Sequence, residues 1–358
     1  MSQQPSENQT DAEQQQPPKP KGKLAIYWAA SCGGCEIALL GINEKILDVA
    51  AAFDIVFWPC ATDGKVHDVE KMPDGSIDLC LFNGGIRTSE HEYMAQLLRR
   101  KSKLLVAFGS CAMEGCIPGL ANLSSRKQVF NTAYRDTPST ENPDDVRPQR
   151  DTEMPEGTLH LPVFYDTLKT LGQTVDVDYY LPGCPPEAER IWEALVAILE
   201  GKLPEPGSVI GLKSTVCDEC ERKRTEKKIS KFYRTWEVIP DPDTCLLEQG
   251  ILCAGIATRA GCGGLCPQVN SPCIGCHGPA EGAKEFGAQL MAALASVIDS
   301  DDPDEIERII AEGIPDPVGT FYRLSLAASS LRRSNLSATN ADADTPQTAA
   351  SQVGATND

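Results

Sequence analysis

Eight cysteines lie close together in the second half of the chain, between residues 217 and 276. They are Cys217, Cys220, Cys245, Cys253, Cys262, Cys266, Cys273 and Cys276. Four thiolates make one tetrahedral sulfur site, which suits either zinc or an iron–sulfur cluster. Eight such cysteines therefore predict two metal sites of one of these kinds.

Glycine and proline flank most of these cysteines, especially in residues 261–267 and 272–279. Glycine lets backbone N–H groups come close to inorganic sulfide. The Cys266–Pro267 step resembles the Cys-Pro step that ends bacterial ferredoxin runs. Zinc sites more often pair two Cys-x-x-Cys units across a spacer. The pattern favours iron–sulfur clusters, with a zinc-stapled interaction module as an alternative.

Composition narrows the class of protein. The chain has 358 residues, 41% of them hydrophobic, and a formal charge of −18. That length suits two domains, and the acidic balance argues against nucleic acid as a partner. No apolar run is long enough to span a membrane, and the N-terminus lacks a secretory or twin-arginine signal. We therefore expect a cytoplasmic protein in which the fifteen cysteines bind metal rather than form disulfides.

Short apolar runs alternate with helical patterns through the first 200 residues. Strands are predicted at residues 24–28, 53–58, 77–82, 104–108 and 175–180. A first helix is predicted at residues 36–51, with Ile37, Leu40, Ile46 and Leu47 on a buried face. A second is predicted at residues 89–100 with Ser89 as its cap, and a third at residues 187–200, which ends at Gly201. This alternation predicts an α/β fold, a flavodoxin-like doubly wound parallel sheet.

The composition changes after residue 205, which predicts a domain boundary. Residues 23–205 would form the flavodoxin-like domain, with an inserted loop at residues 131–157. Residues 206–333 would form an irregular, cysteine-rich iron–sulfur domain with helices at 281–298 and 303–311. Residues 1–22 and 334–358 have the polar composition of disordered tails.

Four more cysteines follow predicted strands directly. Cys32 and Cys35 follow the first strand, Cys111 the fourth and Cys184 the fifth. Because the carboxyl ends of parallel strands meet at one edge of a sheet, these thiols are expected to converge. The sequence thus predicts a third set of four thiolates.

The motifs together resemble the small subunit of [NiFe] hydrogenases. The resemblance is carried by residues 31–36, 109–112 with 118–122, and 181–186. Residues 217–220, 245–276 and 316–323 narrow it to the cytoplasmic F420-reducing or F420-non-reducing branch, the latter methyl-viologen-reducing and heterodisulfide-reductase-associated. It covers about residues 23–333. The resemblance implies an electron-transfer subunit of an oxidoreductase whose nickel–iron site lies in a separate large subunit.

The resemblance also implies three [4Fe–4S] clusters in a row. The proximal set would be Cys32, Cys35, Cys111 and Cys184, the medial set Cys262, Cys266, Cys273 and Cys276, and the distal set Cys217, Cys220, Cys245 and Cys253. Electrons would continue to a flavin- or iron–sulfur-bearing acceptor subunit. The partition of the later eight cysteines between two clusters stays open. The terminal electron acceptor also stays open: it is F420, NAD, a heterodisulfide reductase or another acceptor.

Several residues have two interpretations. Asp63 either replaces a proximal ligand or forms a turn before Gly64. His277 either donates a hydrogen bond to a cluster sulfur or is a bystander. The basic stretch at residues 222–231 either docks the next electron carrier or is a solvated face.

Three cysteines remain outside the sets. Cys80 is predicted to be a buried apolar residue within a strand. Cys60 and Cys116 lie near the proximal motifs, and either could be a spare ligand, but neither is included in the predicted set. A further alternative for the whole chain is the related cluster-bearing subunit of respiratory complex I. That family resembles only the first domain, and the eight later cysteines argue against it.

Overall fold

The computed structural model describes residues 20–225 and 228–331. Most of the predicted N-terminal tail and all of the C-terminal one lie outside these ranges, although Gly22 already begins the first strand. The strands are β1 (Gly22–Trp28), β2 (Phe53–Phe57), β3 (Ile77–Asn83), β4 (Ile86–Thr88), β5 (Ser102–Phe108), β6 (Asp151–Met154), β7 (Gly157–His160), β8 (Phe164–Lys169), β9 (Tyr179–Leu181) and β10 (Ser208–Val209).

Helices alternate with these strands. The α-helices are Gly34–Leu40, Ile46–Ala52, Val66–Lys71, Ser89–Lys101, Ser110–Glu114, Cys116–Gly119, Arg126–Asn131, Ala188–Leu199, Val216–Glu219, Leu265–Gln268, Phe286–Val297, Pro303–Gly313 and Pro317–Phe321. Short 3-10 helices cover Asn43–Lys45, Leu120–Leu123, Leu171–Gln173, Leu247–Gln249 and Ala254–Ile256, and Thr132–Asp136 forms a π-helical turn. Among the described residues, no helix is both long and apolar enough to cross a bilayer.

Within the described residues, six strands form one sheet in the order β2-β1-β3-β5-β9-β10, and every neighbouring pair is parallel. Counted along the chain, this order is 2-1-3-4-5-6, which is the flavodoxin-like order with one strand added at the edge. The predicted fold class is confirmed. Strand β10 lies just beyond residue 205, and the predicted domain boundaries stay a prediction.

Both faces of the sheet are covered, as a doubly wound fold requires. In β1, Leu24 and Ile26 pack on one face, with the helices Ile46–Ala52 and Ala188–Leu199. Ala25 and Tyr27 pack on the other, with the helix Ser89–Lys101. This alternation leaves the strand ends as the exposed edge where loops can assemble a site.

The predicted buried face at residues 36–51 is wrong. Gly41 separates two short helices, and the side chains of Ile37, Leu40 and Leu47 are 71%, 53% and 70% exposed. Leu39 and Val49 are buried instead. The apolar spacing did identify exposed apolar side chains, and no described part of this chain covers them. An uncovered apolar surface of this kind is typical of a protein interface.

Other local predictions also differ from the structure. Thr88 rather than Ser89 caps the helix, accepting a bond from His91 N at 3.2 Å, because β4 runs directly into its first turn. The Ser89 hydroxyl accepts from Val163 N instead. The fifth strand of the sheet is β9, shorter than predicted. The predicted loop at 131–157 contains β6 and the start of β7, an exposed antiparallel hairpin.

The cysteine-rich half has its own apolar core, formed by residues such as Phe232, Leu247, Leu290 and Phe321. Its two longer helices, Phe286–Val297 and Pro303–Gly313, confirm the predicted pair, although the first begins later. Residues after the last helix return to the sheet domain, where Gln173 Nε2 donates to Ala327 O at 2.7 Å. The two halves are therefore packed against each other near the strand ends.

Candidate metal centres

Backbone hydrogen bonds join the two loops that carry Cys111 and Cys184. Gly109 N donates to Leu181 O, and Ser110 N donates to Gly183 O, both at 2.8 Å. Gly183 N in turn donates to the Ser110 hydroxyl at 3.3 Å. These bonds hold the loops after β5 and β9 side by side, as expected for neighbouring parallel strands.

The proximal thiols meet at this edge, together with a cysteine outside the predicted set. The Sγ atoms of Cys116 and Cys184 lie 3.5 Å apart, and Cys116 also hydrogen-bonds to Cys111. The Cys35 thiol lies near those of Cys184, Cys32 and Cys116, whose negative charge in the thiolate form would raise the pKa of Cys35. The structure therefore brings together the four predicted thiols and Cys116.

The Cys35 and Cys184 thiols are held in the neutral form. Burial raises the pKa of Cys35 to about 12, and nearby thiols add to the rise. The hydrogen bond with Cys116, followed by burial, raises the pKa of Cys184. A metal group that binds here must therefore displace protons from the thiols.

Gly109 makes room for the Cys35 sulfur. Its φ is +83°, and a Cβ built at this position would overlap the Cys35 Sγ. Only glycine meets both the conformational and the spatial requirement. The glycine before Cys111 thus allows the loop after β5 to approach the thiol after β1.

Three of the predicted medial thiols face one another. The Cys276 thiol lies near Cys273 and Cys262, and Cys273 also lies near Cys262. Burial raises the pKa of Cys273 to about 12. Backbone N–H groups of Gly264 and Leu265 point at the Cys262 sulfur. Cys266 is exposed on the short helix Leu265–Gln268.

The four predicted distal thiols line one small cavity of about 20 Å³. Three of them, Cys217, Cys245 and Cys253, also line a larger cavity of about 340 Å³. Burial raises the pKa of Cys217 to about 12, with further contributions from Cys253, Cys245 and Cys220. The positive charge of Arg224 acts in the opposite direction. The small cavity thus brings the thiols of Cys217 and Cys220 together with those of Cys245 and Cys253.

Arg222 locks the segments around the distal thiols together. It is 7% exposed and donates to the carbonyl oxygens of Pro267, Asp241 and Thr244 at 2.7–2.9 Å. Glu219 accepts from Gly261 N and Gly263 N at 2.8 and 3.0 Å, which ties the distal motif to the Cys262 loop. Arg222 is therefore structural, and the predicted docking role does not extend to it.

The three thiol groups adjoin one another in order. The proximal and medial groups meet where Cys276 packs against Cys111 and Cys116, and where the Ser110 hydroxyl donates to Cys276 O. The medial and distal groups meet where Cys273 N donates to the Cys253 sulfur at 3.4 Å. The strand-end site is thereby continuous with the cysteine-rich half.

The remaining candidates lie in different surroundings. Asp63 lies after the turn that follows β2. Cys80 is fully buried in β3, as predicted. Cys60 is exposed and hydrogen-bonds to Glu36. His277 is buried, and its Nε2 lies 3.0 Å from a Glu187 oxygen rather than on a sulfur.

Sequence reasoning left out Cys116, although one signal was available. Cys116 follows Cys111 by five residues and is preceded by Gly115, within the same glycine-rich turn after a strand. That turn brings it back beside the strand-end thiols. A cysteine one short helix beyond a strand-end motif therefore belongs among the candidate ligands.

Comparison with known proteins identifies the family. Residues 32–198 match the family described as NADH ubiquinone oxidoreductase, 20 Kd subunit. The chain is 39% identical over 317 residues to the F420-non-reducing hydrogenase iron-sulfur subunit of Archaeoglobus profundus, covering 87% of this chain and 98% of that protein. The chain belongs to this family of hydrogenase iron–sulfur subunits.

A second relative and a solved hydrogenase structure extend the comparison. The corresponding subunit of the vhu F420-non-reducing hydrogenase of Methanocaldococcus jannaschii is 36% identical over 87% of this chain and 97% of that protein. Among solved structures, the chain is similar to a chain of the NAD+-reducing [NiFe]-hydrogenase in the H2-reduced state, with 30% sequence identity. The match covers 52% of this chain and 95% of that chain, with a TM-score of 0.44. The predicted resemblance to hydrogenase small subunits is confirmed by the family, and the chain is an oxidoreductase subunit.

Proposed function

We propose that this hydrogenase subunit carries electrons in a cytoplasmic [NiFe] hydrogenase and holds three [4Fe–4S] clusters with twelve cysteines. When bound, such clusters would accept and pass on single electrons. The observation that carries the proposal is the order of the thiol groups: Cys276 packs against Cys111 and Cys116, and the backbone N–H of Cys273 donates a hydrogen bond to the Cys253 sulfur. A row of adjoining sulfur pockets is what a relay between two partners requires.

The twelve cysteines fall into the three predicted sets. The proximal set is Cys32, Cys35, Cys111 and Cys184; the medial set is Cys262, Cys266, Cys273 and Cys276; the distal set is Cys217, Cys220, Cys245 and Cys253. Backbone N–H groups directed at the sulfurs of Cys253, Cys262 and Cys273 suit thiolates that bind a cluster. Such bonds tune the reduction potential of a cluster.

The spacing of the thiols disfavours the zinc alternative. Sulfurs around one zinc ion lie about 3.8 Å apart, since each Zn–S bond is about 2.3 Å. Within residues 20–225 and 228–331, the one group of three potential metal ligands within 4.8 Å of one another is Glu187, Cys262 and His277, so no three cysteine sulfurs lie that close together. A cluster is several atoms across and holds its cysteine sulfurs further apart than a zinc ion does. The observed spacing of the sulfur atoms therefore suits a cluster better.

The apolar surface beside the proximal thiols supports a large subunit as partner. Ile37 and Leu40 follow Cys35 on an exposed helix face, and Ile117 follows Cys116. Exposed apolar side chains gathered near one site mark protein interfaces. In the proposed complex this surface would cover the proximal thiols and face the nickel–iron site, where hydrogen is split.

The other end of the row points to the acceptor. The names of the relatives describe hydrogenases that do not reduce F420, and we propose the same for this chain. A flavin- or iron–sulfur-bearing subunit would then take the electrons at the distal cavity. Lys223 and Arg224 are exposed there and give the surface a positive charge in an otherwise acidic chain.

The test uses the complex of this chain with its large subunit, purified without oxygen. Hydrogen should bleach the absorbance of the small subunit near the cluster bands, and the complex should contain nickel together with about 12 irons and 12 sulfides from three clusters. A colourless small subunit with zinc in place of iron contradicts the proposal. So does a complex that consumes hydrogen while its iron–sulfur absorbance stays oxidised.

A complex I-like role is the second candidate, since the matching family is described by an NADH ubiquinone oxidoreductase subunit. That match ends at residue 198, whereas the hydrogenase relatives extend through the later eight cysteines. Co-purification with a subunit that binds nickel distinguishes the two.

A further inference from the structure

A fifth thiol occupies the proximal site. Cys116 is 1% exposed, and its Sγ lies 3.5 Å from that of Cys184. It also hydrogen-bonds to Cys111 and packs against Leu324 and Cys276. A four-iron cluster needs four cysteine ligands, so one thiol of this group is in excess.

The backbone at Cys116 is held in an unfavourable conformation. Its φ is +47°, in the left-handed region that a residue with a Cβ rarely adopts. Such a position costs about 1–2 kcal/mol and persists only where the surroundings fix it. Here Gly115 before it also has a positive φ and packs so tightly that a Cβ would lie 2.5 Å from Ala327. The turn is thus fixed on both sides, and it keeps the Cys116 sulfur beside the strand-end thiols.

The Cys184 and Cys116 sulfur atoms lie side by side but differ in exposure. Cys184 is exposed in this chain, whereas Cys116 is buried beneath it. Because their sulfur atoms are in van der Waals contact, a small rotation of either side chain would place one sulfur where the other stood. Cys35 is different, since the space around its sulfur is defined by Gly109. Exchange is therefore expected at Cys184.

We propose that Cys116 is an alternative ligand of the proximal cluster that takes the place of Cys184. This inference rests on the proposed function. In the exchange the Cys116 thiol loses its proton to solvent as its sulfur binds iron, and the Cys184 sulfur leaves iron and takes up a proton. No electron is gained or lost. The buried thiol keeps the site filled whenever the exposed one is released.

The experiment counts iron and acid-labile sulfide in the anaerobically purified complex. Alanine is used because serine oxygen can itself bind iron. With three clusters, Cys184→Ala and Cys116→Ala should each keep about 12 irons, and the double variant should keep about 8. Cys35→Ala should keep about 8, because the sulfur contact of Cys116 is with Cys184 rather than with Cys35, and the matched control Cys80→Ala should keep about 12.

Two results overturn the inference. One is that Cys184→Ala alone falls to the iron content of Cys35→Ala, and the other is that the double variant keeps as much iron as the unaltered complex. A failure of the proposed function gives a different result. The unaltered complex would then contain far fewer than about 12 irons, or Cys35→Ala would contain as much iron as the unaltered complex.

A second measurement avoids the risk that Cys184→Ala misfolds. An iron chelator is added to the unaltered complex and to Cys116→Ala, and release of the first four irons is followed over time. Release should be faster in the variant, because a detached Cys184 then has no substitute. Equal rates of release in the two proteins overturn the inference.

Discussion

The backbone N–H of Cys273 donates a hydrogen bond to the Cys253 sulfur, with N and Sγ 3.4 Å apart. Ala254 N donates back to Cys273 O at 2.9 Å, so the two strands of loop are paired at this point. The bond joins a proposed medial ligand to a proposed distal one. It fixes the distance between the two pockets and lowers the electron density on the Cys253 sulfur. The cysteine-rich half is thus held as one unit by the residues that would bind metal.

Ile37→Glu should weaken binding to the large subunit while this chain still folds. The side chain is 71% exposed, so the isolated chain loses little stability, but a charge buried in an apolar interface should weaken binding by about tenfold or more. Ile239→Glu is the matched control, since Ile239 is 95% exposed in the other half of the chain. Co-purification measures the effect. Equal loss in both variants, or in neither, contradicts the proposed interface.

Arg222→Met should unfold the distal pocket. The substitution removes three charge-assisted hydrogen bonds, from the guanidinium to the carbonyl oxygens of Asp241, Thr244 and Pro267, which should cost about 2–4 kcal/mol and release the distal irons. Lys223→Met, at an exposed neighbouring position, should change stability by about 0.5 kcal/mol or less. Thermal unfolding and iron analysis provide the readouts. Equal melting temperatures for Arg222→Met and Lys223→Met would show that the hydrogen bonds of Arg222 are not needed for stability.

Gly109→Ala should empty the proximal site selectively. The added Cβ collides with the Cys35 sulfur and also strains the backbone, so about four irons should be lost. Gly75→Ala imposes a similar strain at φ +66°, but nothing lies within 4 Å of its added Cβ. It should lose about 1 kcal/mol of stability and no iron. Full iron retention in Gly109→Ala would refute the close approach of the two loops.

Stability should decrease in mild acid because of His91. Burial lowers the pKa of His91 from 6.5 to about 4, while Nδ1 accepts a bond from Arg87 N. A histidine whose pKa is lower in the folded state gives stability that is complete above its unfolded pKa and is lost as the pH falls toward the folded one. Between about pH 7 and 5, the unfolding free energy of the unaltered protein should therefore fall by about 2 kcal/mol more than that of His91→Gln.

Urea unfolding at the two pH values measures this difference. His160→Gln is the control, because His160 lies on the exposed β6–β7 hairpin. The same pH dependence in His91→Gln and in the unaltered protein would contradict the assignment.

The sheet could be predicted from sequence because its signals are local. Apolar runs such as Leu24–Trp28 and the Leu104–Phe108 segment of β5 end at glycine-rich motifs, and parallel strands place those motifs at one edge. The convergence of Cys32, Cys35, Cys111 and Cys184 follows from topology alone. What the spacing could not show was Cys116, because its position depends on a left-handed turn and on packing against residues near the C-terminus.

Interfaces and capping were harder to predict. The spacing of Ile37 and Leu40 indicates an apolar helix face, but it does not indicate whether this chain or a partner covers that face. Ser89 and Thr88 are both good caps, and only the strand that ends at Thr88 decides between them. In the cysteine-rich half, long-range bonds from Arg222 and Glu219 replace regular elements, and no periodic pattern in the sequence reports them.

The most direct test of the relay breaks the row in its middle. Cys262→Ala removes one proposed medial ligand while leaving the proximal and distal thiols in place. On adding hydrogen to the complex, the account predicts that proximal iron–sulfur absorbance still bleaches at the normal rate, while the distal sites stay oxidised and reduction of the acceptor subunit falls to background. Undiminished reduction of the acceptor subunit, in a variant shown to lack medial iron, would contradict the account.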